Sequence, residues 1–255
     1  MLGLSVTRGN GASVRIVGIV QARMGSTRLP GKVLRDLGGR SVLSWVVRAA
    51  REAGALDDLV VATTTEPADD AVAAECRALG VACHRGPVDD VLTRFVHAMA
   101  GRRADAVMRF TADCPLLDPA VIREAALVFR AVPGLDYLST SLVRTLPRGL
   151  DVEIVGRTAL ERADREAAAF HRTHVTSYVY EHPGDARLLG LTYRPAADDL
   201  RVTLDTEDDW ELISRVVGEF GDRYVPVKAL VGWLRARPEV CGLNAHVRQK
   251  ALQDA

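Results

Sequence analysis

The sequence predicts an α/β fold, a mostly parallel sheet with helices on both faces and a small inserted region of strands and helices. Short β-rich runs alternate with helix-patterned segments from Arg15 onward. Chemically unusual loops fall at strand-to-helix junctions, where open parallel sheets bind ligands. After Ala131 the pattern loosens without a linker, repeat or low-complexity stretch. One domain over residues 15–238, with an insertion near 136–195, therefore fits better than tandem domains. Residues 1–14 read as a disordered tail and 239–255 as a C-terminal tail or helix.

In chain order, Val17 to Gln21 is an apolar strand. Ser41 to Ala53 is a helix, with Ser41 as N-cap and Gly54 as its stop. Leu59 to Thr64 is the next strand, Ala68 to Leu79 a helix ended by Gly80, and Val81 to His84 a short strand. Asp89 to Ala100 is helical, Ala106 to Phe110 a strand, and Pro119 to Arg130 a helix. Beyond these, "LDYLSTS" reads as a strand, and "PRGLDVEIV" places Asp151 and Glu153 on one face of another. Phe170 to Glu181 is a short helix, Arg187 to Tyr193 and Leu200 to Leu204 are strands, and Asp208 to Phe220 and Pro226 to Arg235 are helices.

The 255 residues and 48% hydrophobic content are enough for a sizeable core. Thirty-three basic residues balance 33 acidic ones, which gives no support for a nucleic-acid or anionic-membrane partner. Any anion site must be a local cluster. The four cysteines form no Cys-x-x-Cys pair and read as reduced thiols rather than a disulfide framework or zinc site. No apolar run has the length of a membrane span, and the first 13 residues lack a secretory apolar region. A soluble cytoplasmic protein is expected.

Three loops carry the chemistry. In "ARMGSTRLPGK", after the first strand, Arg23, Arg28 and Lys32 can converge on a polyanion; Gly25 allows close backbone approach, and Ser26 and Thr27 add donors. Its spacing is neither that of an ATPase phosphate loop nor Gly-x-Gly-x-x-Gly. The alternative is a solvated basic loop, but Leu29-Pro30-Gly31 argues for a defined turn. In "TADCPLLDP", Asp113 follows an apolar strand, where an acid either caps a turn or binds metal. In "VTLDTEDDW", the helix dipole alone accounts for Glu207 to Asp209, which leaves Asp205 as the better ligand candidate. Mg²⁺ takes carboxylates plus phosphate oxygens while Arg and Lys neutralise the rest of a triphosphate, so the set suggests phosphoryl or nucleotidyl transfer.

"VQARMGSTRLPGKVL" resembles the signature loop of the cytidylyltransferases that make CMP-activated acidic sugars. "VVATTTEPADDAV", "RGPVDDVLTRF", "RFTADCPLLDP", "RGLDVEIV", "THVTSYV" and "RVTLDTEDDWELI" are similar in order to the branch named after spore-coat polysaccharide biosynthesis. The likeness runs from about Arg15 to about Leu234. It implies a Rossmann-like, GT-A-like nucleotidyltransferase fold and transfer of CMP from CTP to an acidic sugar or a related hydroxyl or phosphonate acceptor. It also implies that Arg23, Arg28 and Lys32 hold the triphosphate, together with Ala22, Gly25 and Ser26 of the same loop, and that Asp113 and Asp205 hold Mg²⁺. More loosely, Arg85, Asp90 and Arg94 would face the nucleotide or sugar, and Asp151, Glu153 and His174 the acceptor. Relatives commonly carry Glu where Thr173 stands here, which bears on acceptor specificity rather than on CTP. His171-x-x-His174 is an alternative metal pair lacking a third ligand. Related synthetases are usually homodimers; Val216, Val217, Phe220, Trp233 and Leu234 suit either a core or an interface. A nucleotide-sugar glycosyltransferase, another NTP as donor, and a non-catalytic nucleotide-binding subunit remain open at this level.

Overall fold

Period-two alternation of apolar residues builds the centre of the molecule. In β1 (Ile16–Gln21), Ile16 and Val20 enter the core on one face, and Val17 and Ile19 the core on the other. A strand buried on both faces requires helices above and below. β2 (Asp58–Thr64), β3 (Ala82–Gly86) and β4 (Ala106–Thr111) join β1 in parallel. The computed structural model, which describes residues 13–184 and 186–249, has a seven-stranded sheet in the order β3-β2-β1-β4-β6-β5-β7. β5 (Tyr137–Ser139), β6 (Glu153–Gly156) and β7 (Leu188–Gly190) extend it; β6 runs antiparallel to β4 and β5, and β7 is parallel to β5. Residues 1–12 and 250–255, parts of the expected tails, lie outside the described residues.

Register places the loops. Gln21 pairs with Ala62 on β2 and Thr111 on β4, so the three strands end at one level and open their following loops on the same edge. One face is covered by α1 (Val42–Glu52), α2 (Asp70–Ala78), α4 (Pro119–Ala131), α8 (Glu207–Phe220) and α9 (Val227–Arg235). The other carries α3 (Val91–Met99), α5 (Arg157–Glu166) and α7 (Ser177–Glu181). Between α5 and α7 lies α6 (Ala169–His174), and α10 (Pro238–Cys241) follows α9.

Local signals explain the ends of the well-predicted helices. Ser41 caps α1 by accepting from the Ser44 amide, and Gly54, at φ 60°, follows its last turn. Trp45 on that helix is 1% exposed and donates its indole N–H to the Leu37 carbonyl at 2.9 Å. Asp90 caps α3, Asp118 caps α4 ahead of Pro119, and Thr206 caps α8 in a reciprocal box with Asp209.

Three expectations are corrected and one element is added. The helix expected over Phe170 to Glu181 is two, α6 and α7, broken at Val175. Val175 has φ 58° and ψ −62°, and the Thr176 amide donates to the His174 carbonyl at 2.6 Å, a γ-turn of the strained kind. Leu200 to Leu204 is not a strand: it makes a single bridge, Arg201 to Arg148, against an irregular segment. Asp151 does not share a strand face with Glu153, because β6 begins at Glu153. Gly149, at φ 103°, turns the chain against the 202–203 backbone, where an added Cβ would sit 2.5 Å from the Thr203 nitrogen. Finally, α5 is an additional helix that sequence reading did not place. Val216, Val217 and Leu234 are buried in the chain's own core, with Phe220 and Trp233 packed against it.

Candidate active site

The loop after β1 is held at both ends. The Ala22 amide donates to the Ala62 carbonyl at 3.1 Å, continuing the strand edge. Buried Asp69 reaches across from the β2–α2 junction and accepts from the Met24 amide at 2.6 Å, while Thr64 donates to it through both its amide and its hydroxyl. Ser26 accepts from the Leu29 amide at 3.2 Å, and the Gly31 amide donates to the Met24 carbonyl at 3.0 Å. Gly31, at φ 70°, then starts the 3₁₀ turn Lys32–Leu34. The loop is thus a built turn with defined contacts.

This turn sends Lys32 inward. Its ammonium donates to Asp113 Oδ2 at 2.7 Å, to Asp205 Oδ1 at 2.8 Å and to the Leu204 carbonyl at 2.7 Å. All of the group's donors are then used. Arg28 Nη2 lies 2.9 Å from Asp205 Oδ2, which also accepts from Arg201 Nη2 at 2.7 Å. Burial would lower the Lys32 pKa, but the charges of Asp113 and Asp205 and their hydrogen bonds outweigh it and raise it above the ordinary lysine value. Burial works to raise the Asp205 pKa; the charge and hydrogen bond of Lys32, then Arg28 and Arg201, bring it down to about 2.

Behind Asp205 stands a support that sequence reading missed. Asp209, 0% exposed, accepts from the Asp205 and Thr206 amides at 2.9 and 3.0 Å. It also accepts from Arg201 Nε at 2.9 Å and Asn244 Nδ2 at 2.8 Å. Asp209 is therefore more than a helix-dipole acid. The Thr206-x-x-Asp209 spacing is the signal that could have found it.

The remaining loop residues separate. Arg23 is exposed, and its charge, after burial, is the next influence lowering the pKa of Arg94. Arg94 is 2% exposed and donates to the Pro87 and Val88 carbonyls at 2.5 and 3.0 Å. Gly25 is exposed, and an added Cβ there would meet no protein atom within 4 Å. Arg85 is tied to the β2–α2 junction, donating to the Thr64 and Glu66 carbonyls at 2.8 and 3.0 Å and pairing with Asp70 at 2.5 Å. Asp90 caps α3 and accepts from Arg172 Nε at 2.6 Å. The structure does not join Arg85 or Asp90 to the Lys32 cluster.

A second polar group lies on the sheet face beneath α6 and α7. Arg109 Nη1 donates to Glu153 Oε2 at 3.0 Å and its Nε to Gln21 Oε1 at 3.1 Å, while Thr176 donates to Glu153 at 2.8 Å. Burial would lower the Arg109 pKa; the Glu153 charge and hydrogen bond raise it. The γ-turn at Val175 delivers Thr176 to this pair. Asp151 is held apart by Arg144, at 2.5 and 3.2 Å. His174 stacks obliquely with Phe170, ring centres 5.5 Å apart, and His171 Nδ1 meets Ser177 Oγ at 2.9 Å. Among the described residues no group of three or more His, Cys, Asp or Glu side chains is arranged to hold a metal ion, and no helix is long and apolar enough to cross a membrane.

A sequence model of the family described as Cytidylyltransferase matches residues 17–234. The spore coat polysaccharide biosynthesis protein SpsF of Bacillus subtilis is 34% identical over 233 residues, covering 88% of this chain and 95% of the relative. A 3-deoxy-manno-octulosonate cytidylyltransferase of Vibrio cholerae is 38% identical over 112 residues, 42% of this chain and 43% of the relative. The solved structure of a cytidylyltransferase from Leptospira borgpetersenii aligns with a TM-score of 0.86 at 26% identity, covering 93% of this chain and 99% of that one.

Proposed function

The chain belongs to the cytidylyltransferase family, whose members are nucleotidyltransferases, and from that premise we propose that it transfers CMP from CTP to an acidic sugar, or a related hydroxyl or phosphonate acceptor, with Mg²⁺ as cofactor. The observation that carries the reading is the meeting of Lys32 and Arg28 with Asp113 and Asp205 at the carboxyl edge of the sheet. Cations for a polyphosphate and carboxylates for a metal stand in one cluster, contributed by three separate loops.

The donor set suits a hard divalent cation, since two carboxylates already direct oxygens at one positive charge, the Lys32 ammonium. Asp113 and Asp205 would hold Mg²⁺, which supplies charge neutralisation at the phosphates and lowers the pKa of an acceptor hydroxyl. Arg23, Arg28 and Lys32 bind the β- and γ-phosphates. The acceptor oxygen bonds to the α-phosphorus as the bond to the β-phosphate bridge breaks, and these cations take up the charge that leaves with pyrophosphate. Asp209 and Arg201 hold Asp205 in place throughout.

On the acceptor side, the Glu153–Arg109–Thr176 group, where β4 and β6 pair, and the Asp151–Arg144 pair just before β6 are the polar groups in reach of an acceptor. The names of the Bacillus and Vibrio relatives, one in spore-coat polysaccharide synthesis and one acting on a sugar acid, support an acceptor of this class. A pyrophosphate-release assay with the four nucleoside triphosphates against sugar acids and phosphonates tests the reading. Turnover that requires both CTP and Mg²⁺ is expected. Nucleoside diphosphate release from a nucleotide-sugar would replace it with glycosyl transfer.

A further inference from the structure

Lys32 is assigned to two incompatible tasks. As the structure stands, its ammonium is saturated by Asp113, Asp205 and the Leu204 carbonyl at 2.7–2.8 Å, leaving no hydrogen for a phosphate. Its side chain is only 10% exposed. Arg28 also directs Nη2 at Asp205, whose other oxygen partners are Lys32 and Arg201, while its remaining N–H groups stay available. Both carboxylate oxygens of Asp205 are thus occupied by the chain's own cations.

We propose that Lys32 is a positioning residue that exchanges partners: without nucleotide it holds Asp113 and Asp205 together in place of a divalent cation, and it releases them only when a triphosphate offers it another anion. The inference rests on the reading of these two aspartates as metal-holding groups. A doubly charged ion brought to oxygens already bound to an ammonium meets direct like-charge repulsion at short range, in a partly buried site where screening is weak. A triphosphate reverses the balance by drawing Lys32 and Arg28 onto its own oxygens, and the oxygens that Lys32 vacates, Asp113 Oδ2 and Asp205 Oδ1, are those that receive the cation. Metal binding is thereby conditional on nucleotide. Arg201 does not take part in the exchange, because Asp209 anchors it at 2.9 Å from the protein side.

The test is an equilibrium titration of the full chain with Mn²⁺ in the absence of nucleotide, followed by the loss of the free-ion electron paramagnetic resonance signal. Wild type is expected to bind weakly, and Lys32→Met more tightly by at least about tenfold. Lys32→Arg, which keeps a cation at the position, should remain as weak as wild type. Adding Asp113→Asn to Lys32→Met should abolish the gain. A thermal melt of each variant establishes folding, and Mn²⁺ alone should raise the melting temperature of Lys32→Met but not of wild type. Equal Mn²⁺ affinity in wild type and Lys32→Met overturns the proposal, as does a gain that survives Asp113→Asn. Because no nucleotide is present, the outcome does not depend on which triphosphate is used. Failure here with intact CTP-dependent turnover removes only the exchange, whereas failure of turnover with the Mn²⁺ result intact removes only the assignment of the reaction.

Discussion

Replacing Asp205 by Asn removes one carboxylate from beneath Lys32, Arg28 and Arg201. Its pKa falls from the ordinary 3.8 to about 2, which at 1.36 kcal/mol per pH unit corresponds to about 2.5 kcal/mol of stability at neutral pH. The sign follows from the direction of the fall. A carboxylate whose folded pKa is depressed contributes fully above its unfolded pKa and loses that contribution as pH drops through the folded value. In a chain of this size each kcal/mol moves the midpoint by roughly 2–4 °C, so Asp205→Asn should melt about 5–10 °C below wild type at pH 7. Cations left facing a neutral amide add to the loss rather than offset it. Melts of both proteins from pH 7 to pH 2 check the account: the gap should persist down to about pH 4 and then close towards pH 2. A gap that is unchanged across this range would show that Asp205 is not held as an ionised partner of Lys32, and the reasoning would fail.

Lys32→Ala and Asp113→Asn should each slow pyrophosphate release by roughly two to three orders of magnitude while the proteins remain folded; near-wild-type turnover in both contradicts the assignment of the cluster. Arg109→Met or Glu153→Gln alone leaves a partly buried charge without its ion-pair partner and should cost about 1–3 kcal/mol in urea unfolding, whereas the double variant should cost less than the sum. Additive losses would show that the two do not act as a pair. Gly149→Ala places a Cβ 2.5 Å from the Thr203 nitrogen at a φ of 103° and should lower stability by more than about 2 kcal/mol, read as a melting-temperature drop; no drop would mean that the 149–203 approach is looser than described.

The parts legible in the sequence are those written by local rules. Alternating apolar residues in Val17 to Gln21, the Ser41 cap and the Gly54 stop need only neighbours to act, and β1, α1 and their ends follow. The loops after β1 and β4 were legible for the same reason, and the meeting of Lys32 with Asp113 follows from parallel strands ending in register, whereas Asp205 arrives on a non-strand segment tied to the β4 loop by the Leu204 amide on the Asp113 carbonyl. What escaped depends on distant partners. Nothing local marks Val175 for a positive φ, since a β-branched residue is disfavoured there; the turn is held by Thr176 reaching Glu153, 23 positions away. Val202 and Leu204 are buried like strand residues, yet Val202 bonds the irregular 146–150 segment and Leu204 the Asp113 carbonyl, so no ladder forms. The partners of Arg85 and Asp90, the Thr64 and Glu66 carbonyls and Arg172, are likewise not written in the local sequence. Asp69 carries a positioning duty that only the folded contacts reveal, whereas that of Asp209 is hinted at by its capping-box spacing from Thr206.

The cluster around Lys32, Asp113 and Asp205 is proposed to direct an acceptor oxygen to the α-phosphorus of CTP. Following CTP labelled at the α-phosphate, with Mg²⁺ and a panel of sugar acids and phosphonates, tests this most directly. Label is expected in a new acceptor–CMP product, formed one for one with unlabelled pyrophosphate and lost in Asp205→Asn. Label recovered only as CDP or unreacted CTP with every acceptor, or product formation unaffected by Asp205→Asn, would contradict it.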